Sequence, residues 1–381
     1  MRSTLLWALL AVALAAGWQA LTVHYNYGGD WSALFDTGAY TAVPPEIAVE
    51  GTYRFPSSQG YDGQYYHFVA HDPLLLRDTA RYVDNPRLRW RRILLPALAL
   101  MAVGGAGDRV DSAYGVVVLA FIFLGAWWLG VWSVRAGRHA AWALLFLAIP
   151  AVAVSLDRYT VDVALAALAV GFAVCGAEDR SWRMLVILAL APLARETGAI
   201  LIAAYLLCAA RRRDWRAVGL AAAAALPYAA WLLYLAGRTA PDQTVWASWV
   251  PFAGLLARTL HPIQHSTATR WLREAAVFEY LGVLAMWLAV VLAGILVWKR
   301  KQDLVAVAAA LFAAVFVAFL GQAEAWSGIY SFGRTMSPLL IWLGLAGLST
   351  RAPLYLAPAA LMLPRILLQL EPQWKGIIRW F

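Results

Sequence analysis

The stretch GYDGQYYHFVAHDP, residues 60–73, sets Asp62 between an aromatic residue and a glycine. A carboxylate held where the backbone can turn is able to take a proton from an acceptor hydroxyl as a general base. The same residue also suits the start of a helix over QYYHFVAH, as an Asx turn or cap. Tyr61, Gln64 and Tyr65 stand beside it as candidate substrate contacts. His67 and His71 fall four residues apart, share a helix face and are followed by Asp72, which makes a weak divalent-metal candidate.

Basic groups follow in DNPRLRWRRILLP, residues 84–96. Guanidinium groups match phosphate oxygens in bidentate fashion, so Arg87, Arg89, Arg91 and Arg92 form a candidate phosphate clamp; the plainer reading is snorkelling at lipid headgroups. Charges inside apolar segments are more specific, because insertion of Arg or Asp near a bilayer centre costs about 2.5–3.5 kcal/mol unless a cavity or partner receives it. Arg195-Glu196 in LAPLARETGAILI is the strongest such signal, followed by Asp157-Arg158 and Asp162, then Arg334 in YSFGRTMSPLL. The stretch 237–275 adds Trp246, Trp249 and His261, aromatic-belt anchors or groups that stack on and hydrogen-bond a sugar.

These residues must be positioned by membrane helices. The mean hydropathy is +0.63, with 62% hydrophobic and 14% charged residues, well below the roughly 25% charge of soluble domains. Runs such as LLWALLAVALAAGWQALTV and YGVVVLAFIFLGAWWLGVW approach the roughly 20 residues that span a hydrocarbon core. The net charge of +9 is spread over short loops, as positive-inside topology requires, and does not point to nucleic acid. Two cysteines make no disulfide framework.

The expected fold is an all-α polytopic membrane protein, a single membrane domain over 1–381 with about eleven spans. RRRDWR (211–216) and WKRKQD (298–303) mark the cytoplasmic side. Residues 24–111 form an external loop with juxtamembrane helices, 112–236 the core helices, 237–275 a second external loop and 276–381 the C-terminal helices. ILLPALALMAV is expected to lie along the interface, and 184–210 to be two short helices meeting at Arg195, which puts the polar oddities on one face.

An aspartate soon after helix one, an arginine- and proline-containing interfacial helix, a DR-type turn and an RETG turn together resemble the GT-C superfamily of membrane glycosyltransferases. More narrowly, GYDGQYYHFVAHDP with DNPRLRWRRILLP resembles a bacterial family associated with cell-surface glycopolymer formation, distantly similar to the phosphatidylinositol-glycan mannosyltransferases. The resemblance implies a GT-C-like fold in the bacterial inner membrane, with the site on the periplasmic face. It implies inverting transfer of a sugar from a polyprenyl-phosphate carrier to a glycan or lipid acceptor. Asp62 maps to the catalytic aspartate and Arg195 to the basic residue near the lipid phosphate, with Arg334, Arg91 and Arg92 as further phosphate ligands. Asp157, Arg158, Glu196 and His261 join Tyr61, Gln64 and Tyr65 as substrate-binding candidates. Asp62 is followed by glycine where many members of the superfamily carry a second acid, which favours a mechanism without a metal or other cofactor.

Two rivals remain open from sequence. A transporter or flippase for a lipid-linked glycan would use the same arginines without a base. An accessory membrane protein would leave Asp62, Arg195 and Arg334 far apart.

Overall fold

The computed structural model describes residues 2–178, 181–242, 246–261, 270–327 and 330–380. Among these the chain is helical throughout, with isolated bridges in place of strands. Four helices are long and apolar enough to cross a membrane: α1 (Arg2–Tyr27), α5 (Val110–Arg135), α10 (Trp215–Ala236) and residues 275–299 of α12 (Arg270–Lys299). Counting two bent pairs as single spans gives six. The protein is an integral membrane protein.

The eleven expected spans are not matched by eleven such helices, and the reason is local. Ala140–Ala148 and α6 (Pro150–Arg158) meet at a 63° bend, where Pro150 can only open a new helix. A second bend, of 53°, separates Pro353–Gln369 from Glu371–Ile378. Helix α13 (Leu304–Leu311) runs into a π-helical turn, Phe312–Val317.

The core is built by close helix packing. Helix α1 packs on α5, and α5 packs on α7 (Asp162–Glu178). Small residues permit the approach: Ala8, Ala11 and Ala15 of α1 and Gly125, Ala126 and Gly130 of α5 are buried, as packing between helices in lipid favours. On the other flank α12 packs against α15 (Ala357–Gln369), while α14 (Ser337–Thr350) fills the centre against α7 and α13.

Between α1 and α5 lies the longest stretch without a spanning helix. It holds α2 (Asp62–His71), α3 (Pro86–Arg91) and α4 (Leu94–Ala102). Nine residues of α4 extend about 14 Å, half the hydrocarbon thickness, so α4 does not cross. Residues 184–210 fold as expected into two short helices, α8 (Ser181–Ala194) and α9 (Ala199–Arg212), joined by the Arg195–Gly198 turn. Gly198 makes this turn, since a Cβ there would lie 2.2 Å from the Ala191 carbonyl. Of the expected loop 237–275, residues 243–245 and 262–269 lie outside the described set; Ala253–Leu260 forms α11.

Candidate functional site

Asp62 is the first residue of α2, where an acidic side chain is favoured by the helix dipole. Its carboxylate makes no capping bond; it points instead into a ring of arginines. Oδ1 lies 2.9 Å from Arg89 Nη2 and Oδ2 2.6 Å from Arg334 Nη2. The packing that puts it there depends on Gly63: a Cβ at that position would lie 2.1 Å from the Arg158 carbonyl oxygen and 2.7 Å from that of Phe35. The glycine is required for close approach.

Arg89 comes from α3, which Asn85 caps through a 3.1 Å bond from Leu88 N–H, with Pro86 at the first helical position. Arg89 also forks onto Asp84 at 2.9 and 2.7 Å. One turn on, Arg92 forks onto Glu196 at 2.8 and 2.7 Å and donates to the Tyr66 hydroxyl at 2.9 Å. Arg91, on another face, pairs with Asp242.

Asp162, at the start of α7, ties the other side together. It pairs with Arg195 through Oδ1 and with Arg334 through Oδ2 at 3.5 Å. Arg195 Nη2 also donates to Thr335 Oγ1 at 3.3 Å. Asp62, Arg195 and Arg334 thereby line one cavity of about 790 Å³ together with Arg89, Arg91, Arg92, Asp84 and Glu196. The wide separation that an accessory protein would show is not observed. Arg334 Nε and Arg195 Nε are buried and have no hydrogen-bond partner among the described residues, and Arg334 Nη1 has only the 3.5 Å ion pair to Asp162. Buried unfilled donors of this kind are costly and call for an acceptor.

Electrostatics follow from the pairing. Burial by itself raises the Asp62 carboxyl, but the Arg89 and Arg334 guanidinium groups outweigh it and hold the group well below the usual carboxylate range. At Glu196, in the turn between α8 and α9, burial again raises the carboxyl and Arg92 overcomes it, leaving it at about 2. Both acids are ionised near neutral pH. The resting pair also makes Asp62 a weak base, because a general base works best with its pKa near the operating pH.

The remaining candidates are placed variously. Tyr61 packs edge-on against Tyr330 and lies under Arg334 and Arg158 at 5.2 and 5.6 Å. Tyr65 lies under Arg89 at 4.8 Å. The Gln64 amide is taken up by the loop before α2, accepting from Gly38 N–H at 3.1 Å and donating to the Gln59 carbonyl at 2.9 Å. Arg158 pairs with Asp36 and reaches the Tyr330 hydroxyl at 2.8 Å, outside the cavity lining. Asp157 is buried next to it with both oxygens lacking a hydrogen bond among the described residues. His261 is exposed at the end of α11 and does not line the cavity.

Asp72 is removed from the metal candidates: its two oxygens accept from Leu76 and Arg77 N–H at 2.8 and 3.0 Å, closing the turn after α2. The histidines meet Glu50 and Asp111 instead.

Arg89 belongs to the arginine cluster that the sequence marks as a phosphate clamp, but nothing in the local pattern ranks it above Arg91. Tertiary packing separates them: both line the cavity, but Arg89 reaches Asp62 while Arg91 pairs with Asp242. Asp162 stood out only as a charge within an apolar segment, and its role as a bridge between Arg195 and Arg334 depends on tertiary packing.

No curated protein and no solved structure matches the chain. The family model of glycosyltransferase family 87 matches residues 75–322, which takes in Arg89, Arg91, Arg92, Arg195 and Glu196 of the cavity. The chain belongs to glycosyltransferase family 87, a GT-C-type family.

Proposed function

We propose that this glycosyltransferase moves a sugar from a polyprenyl-phosphate carrier onto a glycan or lipid acceptor at the external membrane face, with inversion at the anomeric carbon. The observation that carries the reading is the cavity itself. It combines one carboxylate at a helix start with the guanidinium groups of Arg89, Arg91, Arg92, Arg195 and Arg334. A sugar phosphodiester is an anion that such a set of guanidinium groups suits, and an isoprenoid tail explains the membrane setting.

The acceptor hydroxyl attacks the anomeric carbon, the bond to the phosphate oxygen breaks with its electron pair, and Asp62 takes the hydroxyl proton. One displacement inverts the configuration. Charge grows on the leaving phosphate, where Arg334 and Arg195 stabilise it. As Arg334 turns toward the phosphate, Asp62 loses one of the two cations that depress its basicity. The ion pair of the resting site thus couples donor engagement to activation of the base. Arg89 keeps the carboxylate in place, and Arg92 with Glu196 fixes the cavity wall.

The test uses the purified protein in vesicles with a defined polyprenyl-phosphate sugar and a candidate acceptor. The expected result is a new glycosidic bond whose anomeric configuration, read by NMR, is opposite to that of the donor. Retained configuration would overturn the single-displacement mechanism. Movement of the donor across the vesicle without any transfer would favour the flippase.

A further inference from the structure

We propose that Glu50, His67, His71 and Asp111 bind a divalent transition metal of the zinc class that staples the helix carrying Asp62 to the membrane domain. This site is separate from the transfer reaction and does not depend on its donor. Each of the four residues offers one donor atom, and all four atoms lie within 4.8 Å of one another. His67 is fully buried and His71 nearly so. Two donors about 2.0–2.2 Å from one ion at tetrahedral angles are roughly 3.4 Å apart; the nearest pairs here are 2.7 Å, His67 Nε2 to Asp111 Oδ1, and 3.1 Å, His71 Nε2 to Glu50 Oε1.

The geometry favours an ion over two ordinary pairs. His71 Nδ1 lies 3.1 Å from the His67 carbonyl oxygen, which can only accept, so the ring is held with Nε2 facing Glu50 Oε1 at 3.1 Å. A ring N–H held by a backbone carbonyl is the usual support of a metal-ligating histidine. His67 Nε2 and Asp111 Oδ1 are in contact, yet neither is in hydrogen-bond geometry with any partner among the described residues. A ring N–H there would not point at the carboxylate, whereas two ligands of one ion need no such alignment. Phe35 stacks on the His67 ring at 4.0 Å and 11°, which fixes its plane. Two imidazoles and two carboxylates suit zinc and disfavour the all-oxygen ions magnesium and calcium.

The four ligands come from three stretches: the loop before α2, α2 itself and the first turn of α5. His67 and His71 lie about one and a half and two and a half turns beyond Asp62 on α2. An ion there fixes the far end of the helix whose near end presents the carboxylate, so its role is positioning.

Metal content of the full-length protein, purified in detergent without chelator, is the first measurement; about one zinc per chain is expected. Removing it with a chelator should lower the unfolding temperature, and zinc but not magnesium should restore it. Glu50→Gln, at the exposed ligand, and Asp111→Asn should each weaken zinc by at least the roughly 10- to 100-fold that loss of an outer-shell partner costs. Glu46→Gln, a nearby acid outside the cluster, should leave zinc bound. Protein that is metal-free, takes up no added zinc and unfolds at the same temperature with and without chelator overturns the proposal. So does zinc binding that survives both ligand substitutions unchanged.

Discussion

Gly63→Ala puts the positioning of Asp62 to a quantitative test. Within an exposed helix this exchange stabilises by about 1 kcal/mol, so propensity predicts a gain. The packing predicts the reverse. The new Cβ would sit 2.1 Å from the Arg158 carbonyl oxygen, more than 1 Å short of the 3.4 Å at which ordinary contact begins, and 2.7 Å from that of Phe35. Both obstacles are backbone atoms, which no rotamer change can move aside. Overpacking of this kind costs about 1–3 kcal/mol, which cancels or exceeds the propensity gain. Relief of the contact requires the start of α2 to shift by about 1 Å, a displacement that can cost about 100-fold in rate where reacting groups must be aligned. Initial rates of glycosyl transfer and thermal unfolding in one detergent give both readouts. A variant at least as stable as the parent, with unchanged kcat, would refute the claim that this contact positions Asp62.

Arg334→Lys keeps one positive charge but gives up the fork that reaches both Asp62 and Asp162; kcat/KM should fall by about 100- to 1,000-fold, the scale of losing one transition-state donor, and steady-state kinetics check this. Glu196→Gln leaves Arg92 buried without its counter-ion and should destabilise by about 1–3 kcal/mol at neutral pH, measured by denaturant unfolding. Because the folded carboxyl is depressed to about 2, its contribution is complete above its unfolded value near 4.3. The stability gap between parent and variant should therefore be flat from about pH 5 to 8 and shrink as pH falls from about 4.3 toward 2. Glu279→Gln, which breaks the buried ion pairs to Arg258 (3.1 Å) and Arg365 (3.0 Å) away from the cavity, should cost about 3–5 kcal/mol in stability while the melted fraction, not kcat of the folded protein, accounts for lost activity.

The parts of the site legible in the sequence were those written in local pattern. The helix over Asp62–His71, the turn at Arg195 and the short helix at Leu94 follow from spacing, glycine and proline, and segment length. Charges stranded in apolar segments pointed to Arg195 and Arg334 because a bilayer penalises them without a cavity. What spacing could not reveal were partners brought from afar. Arg158 finds Asp36 across 122 residues, and Asp62 finds Arg334 across 272. Gln64 looked like a substrate contact beside Asp62, but a buried amide must satisfy its own hydrogen bonds, and the Gly38 and Gln59 backbone does so. The histidine pair was visible at four-residue spacing, while Glu50 and Asp111 enter only through the fold. The expected span count is not matched where Pro150 bends an apolar run that hydropathy reads as continuous, and where Leu304–Val317 stays too short to span.

The central claim is that Asp62 takes the proton from the acceptor. Asp62→Asn preserves shape and removes the base, so single-turnover transfer from a polyprenyl-phosphate sugar, with donor affinity measured on the same protein, addresses it most directly. The account predicts a fall in transfer rate of about 100- to 10,000-fold with donor bound within a few-fold of the parent. Transfer at the parent's rate, or a loss confined to donor binding, would contradict it.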